Sequence, residues 1–439
     1  MTKSNKHTAA VERPSIAQAT RVWWRIGILS FGGPAAQIAL MHKEVVEKRQ
    51  WLTEQQFLNA LSFCMLLPGP EAMQLATYAG WRLHGTSGGL IAGLLFVIPG
   101  AIVIMILATI YSVFGDVPLV SALFYGIKAA VLVIVVEALL RVSKKALTQR
   151  LHWIIATFAF AGIFFLSIPY PIIVLVAGLL GGLIGSSTNT QAMTRSEKIP
   201  THEFLRTVTT WLAIWWLPLL ALGVVGAPEL LVNIGKFFST LAVVTFGGAY
   251  AVLAYMAQDV VVQFGWLNAG EMVDALGLAE TTPGPLILVA QFVGFLAGFK
   301  QSGLFLGFAA ALIALWATFA PCFLWIFAGA PYIEWISNQP RLKSALQAIT
   351  AAVVGVILNL SIWFALHVLF LNVQRETIGP LTLWMPELSS IEWLAVALFI
   401  FSCFLAFRLH WSIARILLIS ALLGATLRLI PKWPTWMLL

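Results

Sequence analysis

Long apolar blocks separated by short polar breaks cover almost the whole chain. Residues 89–111 and 153–168 are examples that contain no charged side chain. An α-helix needs about 20 such residues to cross the hydrocarbon core of a membrane. The pattern therefore predicts an all-α integral membrane protein with about 13 transmembrane helices. They are expected near residues 21–40, 57–80, 89–112, 119–141, 151–167, 170–187, 207–225, 231–252, 272–299, 302–330, 343–371, 392–408 and 411–430.

Composition narrows the function classes. Only 10% of the residues are charged, against about 25% in a soluble domain. The net charge of +8 is spread over short loops rather than one polar face, which argues against nucleic-acid binding. Cys64, Cys322 and Cys403 lie within apolar segments and have no partner at metal-ligand spacing, so neither a metal nor a cofactor is expected. No removable signal peptide is expected either.

The chain contains one unit twice, at a constant offset of 215 residues. Phe31-Gly32-Gly33 returns as Phe246-Gly247-Gly248, and Pro68-Gly69-Pro70 returns as Pro283-Gly284-Pro285. Three rare motifs, with Trp51-Leu52 and Trp266-Leu267 as the third pair, indicate duplication rather than chance. The predicted division is a cytoplasmic tail (1–20), a first repeat (21–187), a polar linker with a connecting helix (188–230) and a second repeat (231–439).

Lys and Arg collect in the loop at 141–150 and in the linker before residue 207, whereas the turn at 167–170 has none. Both basic segments are therefore predicted to be cytoplasmic. Six helices plus one then separate the two repeat starts, which predicts inverted-topology repeats, as in many secondary transporters. Residues 42–54 fit poorly, because their three basic residues would lie outside; a re-entrant or interfacial segment is the alternative. A duplicated bundle without a transport role also remains open.

Each Pro-Gly-Pro motif lies in the middle of an apolar segment, where proline breaks a helix. In a membrane such a break is tolerated only where it is buried in protein or faces a wet cavity. The half-helix that follows, from Glu71 or Leu286, would turn its free N–H groups and positive dipole end toward that cavity. Such ends attract an anion. The alternative interpretation is a simple kink.

Glycine pairs and intramembrane charges add candidates. The glycines could line the same cavity, or they could serve helix packing. Lys128, Arg82, Arg21 and Lys236 are candidate counter-charges for an anion, although Arg21, Arg82 and Lys236 lie close enough to helix ends to snorkel. Glu71, Glu280 and Glu137 are candidate proton acceptors. The predicted translocation residues are Gly32, Gly33, Pro68, Gly69, Pro70, Glu71, Arg82, Lys128, Gly247, Gly248, Glu280, Pro283, Gly284 and Pro285.

The motifs resemble those of the chromate ion transporter family, in its long two-domain bacterial form. They are Phe31-Gly32-Gly33-Pro34, Leu67-Pro68-Gly69-Pro70-Glu71, Thr245-Phe246-Gly247-Gly248-Ala249-Tyr250 and Glu280-Thr281-Thr282-Pro283-Gly284-Pro285-Leu286. The resemblance implies secondary active export of chromate across the bacterial inner membrane, driven by membrane potential or a proton gradient, with sulfate as a competitor. Leu286 replaces the acid found at Glu71, so the two breaks are chemically unequal.

Other functions stay open at this stage. The chain could carry sulfate or another tetrahedral oxyanion, or it could be an anion channel. A membrane enzyme such as a chromate reductase is disfavoured, because no ligand set for flavin, haem or an iron–sulfur cluster is visible. ATP is not an evident energy source, since no phosphate-binding loop occurs. The expected partners are chromate or sulfate and the lipid bilayer, with no nucleic acid and with a homodimer left open.

Overall fold

The computed structural model describes residues 14–115, 117–185, 201–246, 249–333 and 339–429. Its α-helices are α1 (Ile16–Leu29), α2 (Gly33–His42), α3 (Glu54–Cys64), α4 (Glu71–Phe114), α5 (Pro118–Ala146), α6 (Arg150–Phe164), α7 (Tyr170–Ile184), α8 (Thr201–Val224), α9 (Glu229–Val244), α10 (Ala249–Gln258), α11 (Ala269–Thr281), α12 (Val289–Gly329), α13 (Pro340–Leu369), α14 (Trp393–Cys403) and α15 (Ile413–Leu429). A 3-10 turn, Leu286–Leu288, leads into α12, and π-helical turns extend α2 (Lys43–Glu47), α10 (Asp259–Gln263) and α14 (Phe404–Arg408).

The helical membrane-protein fold is confirmed in outline. Within the described ranges, five helical stretches are long and apolar enough to cross a membrane: Glu71–Phe114, Pro118–Ala146, Thr201–Val224, Leu286–Tyr332 and Pro340–Leu369. Three shorter apolar helices are Arg150–Phe164, Tyr170–Ile184 and Trp393–Arg408. The count of about 13 spans and the inverted topology stay predictions.

The two longest helices are each two helices joined by a sharp reversal. Residues 84–85 of α4 and 302–303 of α12 leave the helical conformation, and the glycine of each pair has a positive φ, 63° at Gly85 and 77° at Gly303. A Cβ built on Gly80 would lie 2.2 Å from the carbonyl oxygen of Gly88. The backbones therefore touch, and each long helix is a tight antiparallel pair, which agrees with the separate helices predicted on either side of these positions.

The first helix of each repeat differs from the prediction. Residues 21–40 and 231–252 were expected to form single spanning helices, but each is interrupted and folds back on itself. The ring centroids of Trp23 in α1 and Trp51 after α2 are 6.4 Å apart, whereas a straight helix would separate them by about 40 Å. Phe237 and Trp266 lie 5.8 Å apart in the second repeat. The reversal follows from the glycine pair, since Gly32 takes a φ of 87° that costs other residues energy.

The segment before α12 also folds back. Lys300 Nζ, near the end of the first half of α12, lies 2.5 Å from Glu271 Oε2 in the first turn of α11. The far ends of the two helices meet, so they form an antiparallel pair whose tip carries Pro283-Gly284-Pro285. Each repeat therefore begins with broken, folded-back helices and continues into longer straight ones.

The buried core lies between the two repeats. The second halves of α4 and α12 run antiparallel, because Gly89 and Gly93 pack against the rings of Phe327 and Phe323 respectively. Elsewhere α13 packs against α5, α6 and α7, and α15 packs against α5. Small residues permit this close approach of helices in an apolar solvent. The repeats are interleaved rather than side by side, which brings their breaks together.

Within the described residues, a β-hairpin joins two of the apolar helices. Strands β1 (Val373–Ile378) and β2 (Leu381–Pro386) join α13 to α14 and pair antiparallel, around Gly379 with a φ of 60°. Thr382 donates its N–H to the carbonyl oxygen of Phe165 at 2.7 Å, and its hydroxyl lies 3.1 Å from that of Ser167. The hairpin thus folds over the turn that follows α6. The all-helical prediction missed the hairpin because few of its strand residues are of the β-branched type that favours strands.

Candidate functional site

The breaks of the two repeats are hydrogen-bonded to each other. The N–H of Gly69, in the first Pro-Gly-Pro, donates to the carbonyl oxygen of Thr245 at 2.9 Å, and the N–H of Gly284 donates to that of Ser30 at 2.8 Å. Ser30 and Thr245 precede the two Phe-Gly-Gly motifs at equivalent repeat positions. Each Pro-Gly-Pro therefore contacts the broken first helix of the opposite repeat, and the contact occurs twice.

The same two residues are fixed by their own helices. The Ser30 hydroxyl donates to the carbonyl oxygen of Ile26 at 2.6 Å, and the Thr245 hydroxyl donates to that of Leu241. A short hydroxyl side chain can bond four residues back while its own carbonyl stays free at the helix end. These carbonyls are the ones that accept the glycine N–H groups. The local sequence thus prepares both acceptors in the same way.

Two buried glutamines hold the Pro-Gly-Pro backbones. Gln37 donates from Nε2 to the carbonyl oxygens of Gly284 at 2.6 Å and Ser30 at 3.2 Å. Gln74 donates from Nε2 to the carbonyl oxygen of Pro68 at 2.7 Å. Both side chains are at least 98% buried, where an amide must be hydrogen-bonded to be tolerated. They fix the backbone where proline has removed its helical partners.

Helix N-termini meet at these breaks. α2 begins at Gly33, α4 at Glu71, α10 at Ala249 and the turn before α12 at Leu286. The first intrahelical bond of α4 runs from the N–H of Gln74 to Pro70 at 3.1 Å, which leaves the preceding N–H groups of that helix without helical partners. The carbonyls that end α1 and α9 are engaged by the glycines. Positive helix ends are therefore available here, and the arrangement suits an anion.

The two breaks differ in exposure. In the first repeat Pro70 and Glu71 are half-buried, and Phe31 and Gly32 are exposed. In the second repeat Pro283, Gly284 and Pro285 are all buried, and Leu286 is only 4% exposed. Both Pro-Gly-Pro turns pack against the long helix of the other repeat, with Cys322 beside Gly69 and Gly100 beside Pro283. Access to the breaks is therefore easier from the first repeat.

Glu280 accepts a hydrogen bond from a tyrosine of the same repeat. Tyr250 donates its hydroxyl to Glu280 Oε1 at 2.6 Å. On α5, the carboxylate of Glu137 is paired with Arg141 Nη2 at 2.5 Å, and the two residues share one face of the helix. Glu71 is half-buried in the first turn of α4. Two of the three predicted proton acceptors therefore have an identified side-chain partner.

Lys128 belongs to a different cluster. Its Nζ lies 3.3 Å from Asp274 Oδ2, and the hydroxyl of Tyr111 donates to the same oxygen at 2.8 Å. The Asp274 side chain is 3% exposed, so Lys128 compensates a buried carboxylate on α11 and links α5 to the second repeat. Any role of Lys128 as an anion counter-charge must compete with this pairing.

The other predicted residues are placed less centrally. Arg82 is exposed near the end of the first half of α4, as are Arg21 and Lys236 on α1 and α9. Gly247 and Gly248 lie outside the described residues. In the part of the chain that the structure describes, no three His, Cys, Asp or Glu side chains are grouped so that they could hold a metal ion.

A family model described as chromate transporter matches residues 17–183 and 232–425. The chain belongs to the chromate transporter family. The two matched segments contain all the breaks described above and leave out most of the linker and α8. No solved structure resembles this chromate transporter family member.

Curated relatives are similar over most of their own length. A probable chromate transport protein of Synechococcus elongatus is 30% identical over 346 residues, which is 78% of this chain and 83% of the relative. Chromate transport proteins of Cupriavidus metallidurans and Pseudomonas aeruginosa are 29% and 30% identical, and each match covers 80% of this chain and 82% and 81% of the relative. The recognition of the family from its motifs is confirmed.

The sequence analysis gave no role to four residues that make the polar contacts described above. Gln37 and Gln74 escaped because only ionisable residues were sought within the apolar blocks, although a buried amide is equally informative. Asp274 escaped because its segment was predicted to begin at 272, which placed it near a helix end. Tyr250 was quoted within a motif but given no role. A search for every polar side chain within the predicted spans would have found all four.

Proposed function

We propose that this protein is a secondary active transporter that exports chromate across the bacterial inner membrane, driven by membrane potential or a proton gradient. The observation that carries the proposal is the double crossing, in which Gly69 and Gly284 each bond to the opposite repeat. Broken helices matched in two halves are typical of transporter binding sites. The names of the curated relatives support chromate as the substrate.

The site would recognise a tetrahedral dianion through backbone rather than through a paired cation. Helix N-termini at Gly33, Glu71 and Leu286 supply N–H donors and partial positive charge. A membrane potential that is negative inside favours exit of each negative charge by about 2.3 kcal/mol per 100 mV, so a dianion gains about twice that. Export then needs no ATP. Glu71 and Glu280 are the proposed proton carriers if a proton gradient contributes.

We further propose that the repeats have inverted topology and that their folded-back segments are re-entrant. The base of the first folded-back pair would then lie on the cytoplasmic side, which places Lys43, Lys48 and Arg49 inside. A spanning helix at residues 21–40 would place these basic residues outside, against the positive-inside rule. A re-entrant segment removes that conflict. The proposed division into residues 1–20, 21–187, 188–230 and 231–439 is retained. Because a re-entrant segment does not cross the membrane, the number of spans is then lower than the roughly 13 that hydropathy alone predicts.

Chromate accumulation tests the function directly. Cells that express the wild-type chain should accumulate less chromate than cells that express an inactive variant, Gly284→Val, at equal membrane levels. Reconstituted vesicles should release chromate faster when a potential that repels the anion is imposed. Equal accumulation with wild type and variant, at verified expression, would contradict the assignment.

Oxyanion-resolved flux separates the remaining alternatives. Chromate and sulfate have the same charge and shape, so competition between them measures preference rather than mechanism. A carrier should saturate and exchange one oxyanion for another across the vesicle membrane. Dissipative flux that ignores the opposite-side anion and the pH gradient would instead identify a channel.

A further inference from the structure

A small, partly open crevice lies under the β-hairpin. Its walls come from α6, α10, α13 and the hairpin itself. The polar and aromatic residues that line it are Ser167, Gln258, Asn359, Trp363, Arg375 and Trp384. Neither the motifs nor the family match assigns a role to this site.

The hairpin register turns a positive charge toward the crevice. Arg375 and Trp384 are directly opposite each other in the β1–β2 ladder, and the guanidinium carbon lies 5.7 Å from the centre of the indole ring. Side chains alternate along a strand, so the neighbouring Glu376 points to the other face. Of the lining residues in the described chain, Arg375 is the one that carries a formal charge.

The remaining polar groups of the crevice can donate hydrogen bonds. Within the described ranges, the side-chain amides of Gln258 and Asn359 and the guanidinium of Arg375 form no hydrogen bond to protein. The acid closest to the lining in sequence, Asp259, does not line the crevice. A guanidinium, two amides and a hydroxyl around one space are the chemistry that holds an oxyanion.

One wall of the crevice is formed by α10. This helix begins at the tip of the folded-back pair at Ala249, and its residues Ala254, Ala257 and Gln258 line the crevice. At 1.5 Å per residue, Ala254 lies about 8 Å along the helix axis from that tip. The first repeat has no counterpart of the β-hairpin, since α5 and α6 are joined only by residues 147–149.

We propose that this crevice is a second binding site for an inorganic oxyanion, at the hairpin end of the path to the breaks, with Arg375 as its principal ligand. The inference rests on the proposed function, because it takes the transported anion as the ligand. The positive-inside assignment puts the turn at 167–170, and with it the hairpin, on the outer side. The site would then receive the anion as it leaves the breaks.

Hydrogen exchange of the β1–β2 amides, measured on the full chain in lipid nanodiscs, tests the site locally. Sodium sulfate should slow exchange in residues 373–386 of the wild type, compared with sodium chloride at equal ionic strength. Arg375→Gln should raise the sulfate concentration for half-maximal protection about tenfold or more, the worth of one hydrogen bond to a charged group. Arg375→Lys should raise this concentration by a smaller factor, because lysine keeps the positive charge.

Glu376→Gln is the matched control, since it neutralises the adjacent charge on the opposite face of the strand. Sulfate should slow exchange in this variant as much as in the wild type. Asn359→Ala on α13 tests the same site without altering the hairpin, and it should also weaken protection. Equal protection in wild type and Arg375→Gln would overturn the proposal, as would equal protection by chloride. Absence of oxyanion flux in the wild type would instead defeat the proposed function, whatever the exchange data show.

Discussion

The two Pro-Gly-Pro breaks share a backbone and differ in side chains. Their cross-repeat bonds are nearly equal, 2.9 Å at Gly69 and 2.8 Å at Gly284. After the break, however, the first repeat continues with half-buried Glu71 and the second with buried Leu286. Both repeats thus keep the backbone geometry that exposes helix N-termini, whereas the polar side chains beside the breaks differ. The backbone frame is therefore nearly symmetric, and the chemical difference between the two breaks lies in their side chains.

The two glutamine side chains that hold the breaks are also distributed unequally between the repeats. Gln37 of the first repeat reaches across to Gly284, whereas Gln74 bonds within its own break to Pro68. The second repeat has Val252 and Val289 at the corresponding positions. Both amides therefore come from the first repeat, and the second repeat receives one of them. At these two positions the first repeat supplies amides and the second supplies apolar side chains.

The largest effect is expected from the paired glycines. Gly69 and Gly284 have φ values of 120° and 91°, and a Cβ would lie 2.8 Å from Gln74 Nε2 or 3.1 Å from Leu288 Cδ1 respectively. Valine at either position is strained and displaces the crossing bond. We expect both variants to reduce oxyanion flux in vesicles by about 100-fold or more.

Gly223→Val is the control for these variants. Gly223 lies in α8, and a Cβ there meets nothing within 4 Å, so flux should be unchanged. A variant at Gly69 or Gly284 that inserts normally and transports like wild type would show that the crossing has no part in transport. Loss at only one position would show that the equivalence of the two breaks is not functional.

The Lys128–Asp274 pair should give the next largest effect. Lys128→Met leaves the Asp274 carboxylate, 3% exposed, without its cation and should destabilise the protein by about 3 kcal/mol. The double variant Lys128→Met with Asp274→Asn should recover most of that stability, because the uncompensated charge is gone. Thermal unfolding in detergent and vesicle flux measure the two properties separately. A double variant that is stable but inactive would mean that Lys128 contacts the anion.

Much of this organisation could be predicted from the sequence. The 215-residue offset gave the duplication, and the prolines gave the breaks, because both are local properties of the chain. The folding back of α1 onto α2 was not predicted. Hydropathy measures how apolar a segment is, and a re-entrant pair is as apolar as a spanning helix. Only the three basic residues at 43–49, misplaced by the spanning model, indicated the alternative.

Pairing between distant residues was beyond sequence reasoning. The contact of Gly69 with Thr245 and that of Lys128 with Asp274 join positions in opposite repeats, and no spacing rule connects them. The β-hairpin was missed for another reason. Its strands are short and mostly exposed, so they lack the alternating apolar pattern that identifies a half-buried strand.

Replacing Glu71 makes the first break resemble the second and should have a moderate effect. If Glu71 carries the proton, Glu71→Leu should abolish the acceleration of flux by a pH gradient, while flux driven by potential continues. The expected loss is about tenfold under a proton gradient alone. Flux at clamped potential, with and without the gradient, measures this. Glu229→Gln, an exposed acid at the start of α9, serves as the control, and an unaltered pH response in Glu71→Leu would point to Glu280.

The smallest effect is expected from the two glutamines, and their difference is the informative quantity. Gln37→Leu removes the donor to two carbonyls in opposite repeats, and Gln74→Leu removes the donor to one carbonyl within its own break. At about 0.5 kcal/mol per hydrogen bond, the lower end of the usual range, flux should fall about fivefold for Gln37→Leu and about twofold for Gln74→Leu. Gln55→Leu, at an exposed position on α3, should be silent. Equal losses of flux in Gln37→Leu and Gln74→Leu would mean that the hydrogen bond to each break matters. The bond that Gln37 makes between the repeats would then contribute nothing further.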